Sequence, residues 1–149
     1  SRNDVETIHA ATDMLAEAKL SPELTQEATY FRARAYLNQN AGEAAMRDLQ
    51  TLAKDTRNSY GAEAKYLVAR QYYEANDFAT AEKELLDFID RSTPHVYWLA
   101  RGFILLSDTY VAMDRTLDAR QYLLSLQQNY QADDDIKGMI ETRLQKLNN

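Results

Sequence analysis

Cysteine is absent from these 149 residues, glycine occurs four times and proline twice. The first absence removes thiol nucleophiles, disulfides and thiolate metal sites together. It leaves the compartment open, because a cysteine-free helical chain tolerates oxidising and reducing surroundings alike. Scarce glycine and proline argue against an all-β fold, which needs a turn signal every ~8–12 residues, and fit long helices with short connections. No apolar run approaches the ~20 residues that cross a bilayer, so direct membrane insertion by this segment is not expected. The longest runs, Val96 to Ala100 and Phe103 to Leu106, have the length of core segments. A concentrated basic stripe is missing too, and with a formal charge of −6 this argues against a nucleic-acid partner, since phosphate binding draws on clustered Lys and Arg.

Chemistry-bearing motifs are equally scarce. His9 and His95 are far apart in the chain, and neither has a second histidine or a carboxylate at ligand spacing, so both read as structural or exposed. There is no nucleophile elbow, glycine-rich phosphate loop or HExxH helix. Glu82, Glu84 and Asp87 read as a solvated helix surface, not as a general acid and base. The expectation is a chain that is no enzyme, with no catalytic residue, no metal and no cofactor. Ser1 to Val5 carry neither a basic start nor an apolar stretch of the export-signal kind, and the abrupt opening on a helix predicts a piece of something longer.

What is abundant is Ala, Leu, Gln, Glu, Lys and Arg, all good helix formers, and they recur in register. Three segments superimpose at offsets of 36 and then 38 residues. One small-residue column is Ala33, Ala69 and Ser107, and a second is Ala45, Ala81 and Ala119. Between them runs an aromatic column of Tyr36, Tyr72 and Tyr110, followed by Leu49, Leu85 and Leu123 and then by Leu52, Phe88 and Leu126. Two antiparallel helices approach closely only where each presents a small side chain, so each segment predicts a helical hairpin notched at these columns. One hairpin cannot bury both of its apolar faces, and stacking on a neighbour follows.

The pattern resembles the tetratricopeptide repeat, a unit of about 34 residues with a small-Tyr-small pattern across a helix pair. Residues Ala62 to Ile89, AEAKYLVARQYYEANDFATAEKELLDFI, match best, with Ala69, Tyr72, Asp77, Phe78, Ala81 and Leu85 in the family's positions. Gln26 to Ala53 and Ala100 to Gln127 match less completely. Gly42 and Thr116 stand where Phe78 supplies an aromatic, Lys65 stands where the family usually has Trp, and Leu52, Phe88 and Leu126 fill a column usually held by Ala. The implied fold is all-α: an α-α superhelix, a solenoid of antiparallel hairpins forming a right-handed arc over a single domain, 1–149. Its parts are a half repeat at 1–20, hairpins at 23–54, 60–91 and 96–129, and a capping helix at 134–148.

The ends are read in the same way. A helix from Asp4 to Leu20 places Ile8, Ala11, Leu15 and Ala18 on one side. Ser21-Pro22 and Thr93-Pro94 break the chain, each proline suiting the first turn of the next helix. Asp133 to Asp135 supply the N-cap of the last helix, which turns Ile136, Met139, Ile140, Leu144 and Leu147 inward and Lys137, Glu141, Arg143 and Lys146 to water. Tyr97 and Trp98 are expected to staple the third hairpin onto the second.

In the family it resembles, the first helix of each hairpin lines the concave surface. The resemblance therefore implies partner-binding positions at Tyr30, Arg34 and Leu37, at Glu63, Tyr66, Arg70 and Tyr73, and at Ile104, Asp108 and Val111. Aromatic and Arg side chains are common at interface hot spots. Arg34 and Arg70 share one repeat position and either meet carboxylates of a ligand or pair with neighbours such as Glu63 and Glu74; single tyrosines are equally readable as core filler. The Lys and Asn set with which chaperone-binding members grip a C-terminal carboxylate is replaced here by Tyr30, Arg34, Tyr66 and Arg70, so that clamp is absent.

The implied function is a scaffold for a protein or peptide partner by extended-peptide or helix-in-groove recognition. The second repeat looks like those of bacterial cell-envelope proteins, including lipoproteins of outer-membrane assembly and periplasmic scaffolds, which implies an exported, periplasmic or outer-membrane-associated location. Two further readings stand beside it: an accessory domain of a larger enzyme or regulator, and a self-associating homo-oligomer formed through end helices.

Overall fold

The computed structural model describes residues 1–17 and 19–148. Among these residues there are eight α-helices and no strand. They are α1 (Arg2–Leu15), α2 (Pro22–Asn38), α3 (Gly42–Leu52), α4 (Ser59–Glu74), α5 (Phe78–Asp90), α6 (Val96–Ala112), α7 (Thr116–Asn129) and α8 (Ile136–Leu147). The chain divides into two compact units, Ser1–Val68 and Ala69–Asn149, with the division inside α4. In the first unit α2 packs on α1 and α3; in the second α6 packs on α5, α7 and α8.

The three hairpins close by one device. Asn40, Asn76 and Asp114 all adopt the left-handed conformation, with φ of 57°, 62° and 59°. Behind them the N–H groups of Ala41, Asp77 and Arg115 donate to the carbonyls of Tyr36, Tyr72 and Tyr110 at 2.9, 2.9 and 2.8 Å. The N–H groups of Asn40, Asn76 and Asp114 donate to Leu37, Tyr73 and Val111 at 3.1, 3.0 and 3.1 Å. This paired closure is the Schellman motif, in which one left-handed residue satisfies carbonyls that the helix end would leave bare. Asn and Asp take the role usually given to glycine because their short polar side chains tolerate that conformation better than most. In the third hairpin the guanidinium of Arg115 also lies 4.2 Å from the centroid of the Tyr110 ring, covering the turn.

Every residue of the two small columns is at most 1% exposed, and the Leu and Leu/Phe columns are buried as well. In the third hairpin the notch is visible atom by atom: the Ser107 hydroxyl on α6 donates to the Ala119 carbonyl on α7 at 3.1 Å. Gly102 shows the same closeness on the other side of α6, since a Cβ there would come within 3.2 Å of the Phe88 ring. Gly61 is stricter still, because a Cβ would overlap the carbonyl oxygens of Asp55 and Leu52. In the first unit α2 is fastened to α3 by an ion pair the sequence reading did not anticipate. Arg32 Nε and Nη2 each donate to Asp48 at 2.7 Å, and Asp48 is buried.

Several boundaries differ from expectation. Helix α1 starts at Arg2, because Ser1 and Asp4 form a capping box. It ends at Leu15 and not at Leu20: the Ala16 N–H turns back to the Thr12 and Asp13 carbonyls, and Ser21 is already the extended N-cap of α2. Ala18, placed on the helix face by the sequence pattern, lies outside the described residues. Pro22 does occupy the first turn of α2, but Pro94 precedes the N-cap His95 of α6 and so is not in its first turn. Asp135 occupies the N-cap position of α8 without a side-chain bond; Asp134 Oδ1 instead accepts from the Ile136 N–H at 2.9 Å.

Candidate protein-interaction surface

Helical spacing puts Tyr30, Arg34 and Leu37 on one face of α2, one turn apart. In the first unit that face meets α4. The Tyr30 hydroxyl donates to Glu63 Oε1 and Oε2 at 3.0 and 3.1 Å. Arg34 Nη1 donates to the same carboxylate at 3.3 Å, and the Tyr30 ring packs on Tyr60 with centroids 4.5 Å apart. Burial and the neighbouring Glu63 charge push the Tyr30 hydroxyl up to about 12. Burial also raises Glu63, against the opposing pull of the Tyr30 hydrogen bond and the Arg34 charge. The cluster is thus internally satisfied, and Arg34 takes the neighbour-pairing role. Arg70 does likewise, its Nε bonding Glu74 Oε1 at 2.9 Å one turn along α4.

Two of the anticipated partner-facing residues turn inward. Tyr66 is 6% exposed and lies in the stretch of α4 over residues 61–69 where every residue is buried; a helix covered on all sides has no free face there. Ile104 is 3% exposed because it joins Leu123, Leu126, Ile136 and Ile140 in the core that α8 closes over α6 and α7. Both are core residues, with almost no surface to offer a partner.

The other positions gather in the second unit. Tyr73, Asp108 and Val111 line a cavity of about 340 Å³ together with Ser107 of α6 and Thr142, Arg143, Lys146 and Leu147 of α8. Arg143, expected to face water, instead grips Asp108 with both arms, Nε to Oδ1 at 2.8 Å and Nη2 to Oδ2 at 2.9 Å. A planar guanidinium fork matches a carboxylate in this way, and the pair pins α8 to α6. Burial first, and then the Asp108 charge, raise the Tyr73 hydroxyl, so it remains a neutral donor at the cavity wall. Val111 is 44% exposed at the mouth, and Lys146 is exposed beside it.

Thr142, Arg143 and Lys146 were missed as site residues because α8 reads as a cap. No column of the repeat marked them, since the positions 38 residues after Ser107 and Tyr110 are Gln145 and Asn148. Among the described residues no group of three or more His, Cys, Asp or Glu side chains is placed to hold a metal ion, and no helix is long and apolar enough to cross a membrane. Comparison with protein-family models, with curated proteins and with solved structures finds no match.

Proposed function

We propose that this chain is a non-catalytic protein-interaction scaffold that takes an extended segment of a partner protein along the first helices of its hairpins. The observation that carries this reading is the cavity in the second unit. There one residue from α4, several from α6 and three polar side chains from α8 converge at an opening with both apolar wall and hydrogen-bonding groups, the composition peptide grooves use. Val111 and Leu147 supply apolar contact, while Tyr73, Thr142 and Lys146 supply donors that fix a bound backbone or side chain. The Asp108–Arg143 pair keeps the floor rigid, so little ordering cost remains for binding. A superhelical arrangement of the tetratricopeptide kind belongs to the same proposal, as does placement in a bacterial envelope assembly, which rests on the resemblance of the second repeat.

The test is affinity capture from native extract with wild type beside a Tyr73→Ala, Val111→Ser, Lys146→Ala triple variant whose helicity and melting temperature are checked first. The variant is expected to lose partners that the wild type retains. Recovery of the same partners at the same yield contradicts the assignment.

A further inference from the structure

Most polar side chains that line the α6–α8 cavity are already committed within the second unit. Arg143 gives Nε and Nη2 to the two oxygens of Asp108 at 2.8 and 2.9 Å, and Nη1 to the Met139 carbonyl at 3.2 Å. The Ser107 hydroxyl donates to the Ala119 carbonyl at 3.1 Å, and the Thr142 hydroxyl to the Gly138 carbonyl at 2.9 Å. The charges of Asp108 and Arg143 cancel across their two-armed pair. Two polar groups of the lining remain, the exposed Lys146 ammonium and the Tyr73 hydroxyl, and neither has a hydrogen-bond or ion-pair partner among the described residues. An ammonium can only donate, and a neutral phenol donates most strongly to an anion. The cavity therefore offers two open donors and one uncancelled positive charge, and no charge of its own left to answer them.

A carboxylate completes that count: one oxygen for the ammonium, one for the phenol, and a single negative charge for the single free positive one. A phosphate carries nearly two negative charges at neutral pH, and the second would meet no cation, because Asp108 already holds the Arg143 fork. A Lys or Arg side chain would bring further donors, and a positive charge beside Lys146. Val111 and Leu147 offer apolar wall to the methylenes that carry the carboxylate. We propose that this cavity selects an acidic side chain, Glu or Asp, within the partner's extended segment, its carboxylate accepting from Lys146 Nζ and from the Tyr73 hydroxyl. The proposal rests on the reading of the cavity as a peptide groove, and adds to it the charge of the residue that enters.

The probes are short peptides, acetylated and amidated at their ends, that differ only at a central position beside a leucine: Glu, Gln or phosphoserine. A further peptide has Gln there and a free C-terminal carboxylate. Each is titrated against the whole chain by NMR, with the amides of Tyr73, Val111 and Lys146 as reporters. The Glu peptide is expected to bind roughly tenfold tighter than the Gln peptide, by a margin that narrows as salt rises. Lys146→Met keeps the apolar stem, and should bring the Glu peptide down to the level of the Gln peptide while leaving the Gln peptide unchanged. Tyr73→Phe, with circular dichroism and melting temperature matching wild type, should weaken the Glu peptide about fivefold. Equal binding of the Glu and Gln peptides, or full binding of the Glu peptide by Lys146→Met, overturns the proposal and leaves the groove reading standing. Tighter binding of the phosphoserine or the free-carboxylate peptide than of the Glu peptide does the same, since the anion is then another one. If no peptide shifts the reporter amides, the groove reading itself fails, and this proposal with it.

Discussion

The Tyr30–Arg34–Glu63 cluster of the first unit and the Asp108–Arg143 cavity of the second each tie one helix to the next but one, α2 to α4 and α6 to α8, through an arginine and a carboxylate, yet they differ in access. In the first, the Glu63 side chain is 11% exposed and its oxygens are taken by Tyr30 and Arg34. In the second, the paired side chains are 27% and 29% exposed at the wall of an open cavity. The same kind of pair is thus closed off where α4 covers it and open to solvent where α8 leaves a cavity, as the proposed recognition surface requires. Burial, and not residue type, separates the two in access, because a desolvated carboxylate must be satisfied internally while a more exposed one stays reachable from solvent.

Three substitutions and one change of pH test that contrast. Asp48→Ala has the largest expected effect: it strips the partner from Arg32 at the covered α2–α3 contact and should cost about 3 kcal/mol of unfolding free energy in urea melts. Glu63→Ala removes the carboxylate to which both Tyr30 and Arg34 donate. A loss of about 1 kcal/mol is expected, and a loss as small as that of an exposed pair would show that the first cluster is not a fastening. Asp108→Asn should cost no more than about 0.5 kcal/mol, since its ion pair is partly solvated, while altering partner capture.

The smallest effect is one of pH. Tyr30 is raised from the ordinary value of 10.0 to about 12 in the folded chain, so its contribution is fully present below pH 10 and is lost as pH climbs toward 12. Glu63 is also raised, so its contribution is present at pH values below the ordinary carboxylate range and is lost as pH rises through its folded value. Alkaline melts of wild type against Tyr30→Phe should converge on the approach to pH 12 if Tyr30 is the group that titrates.

The helical fold was legible because the columns are made of residues with few other uses. Ala at the notches and Leu behind them are buried wherever the repeat predicts. The turns were less legible: Asn40, Asn76 and Asp114 carry the closure, but Asn and Asp are common on any helical surface, and only their shared offset marks them out. Burial of Tyr66 and Ile104 was hidden because periodicity on one helix does not show what a neighbouring helix covers. Ile104 became core only once α8 was folded over it. Arg143 was misread for the converse reason, since a charged residue on the last helix looks solvated until Asp108 is brought within 2.8 Å.

Three helical hairpins of this chain close with the same left-handed turn, and the proposed repeat requires that one of them can be removed without loss of fold. Deleting residues 41–76 removes one repeat length and joins Asn40 directly to Asp77, recreating the turn sequence of the second hairpin between α2 and α5. Thermal melting followed by far-ultraviolet circular dichroism should show a shortened protein that keeps its helicity per residue and unfolds in a cooperative transition. A chain that is largely unfolded at low temperature, or that melts without cooperativity, shows that the hairpins are not interchangeable.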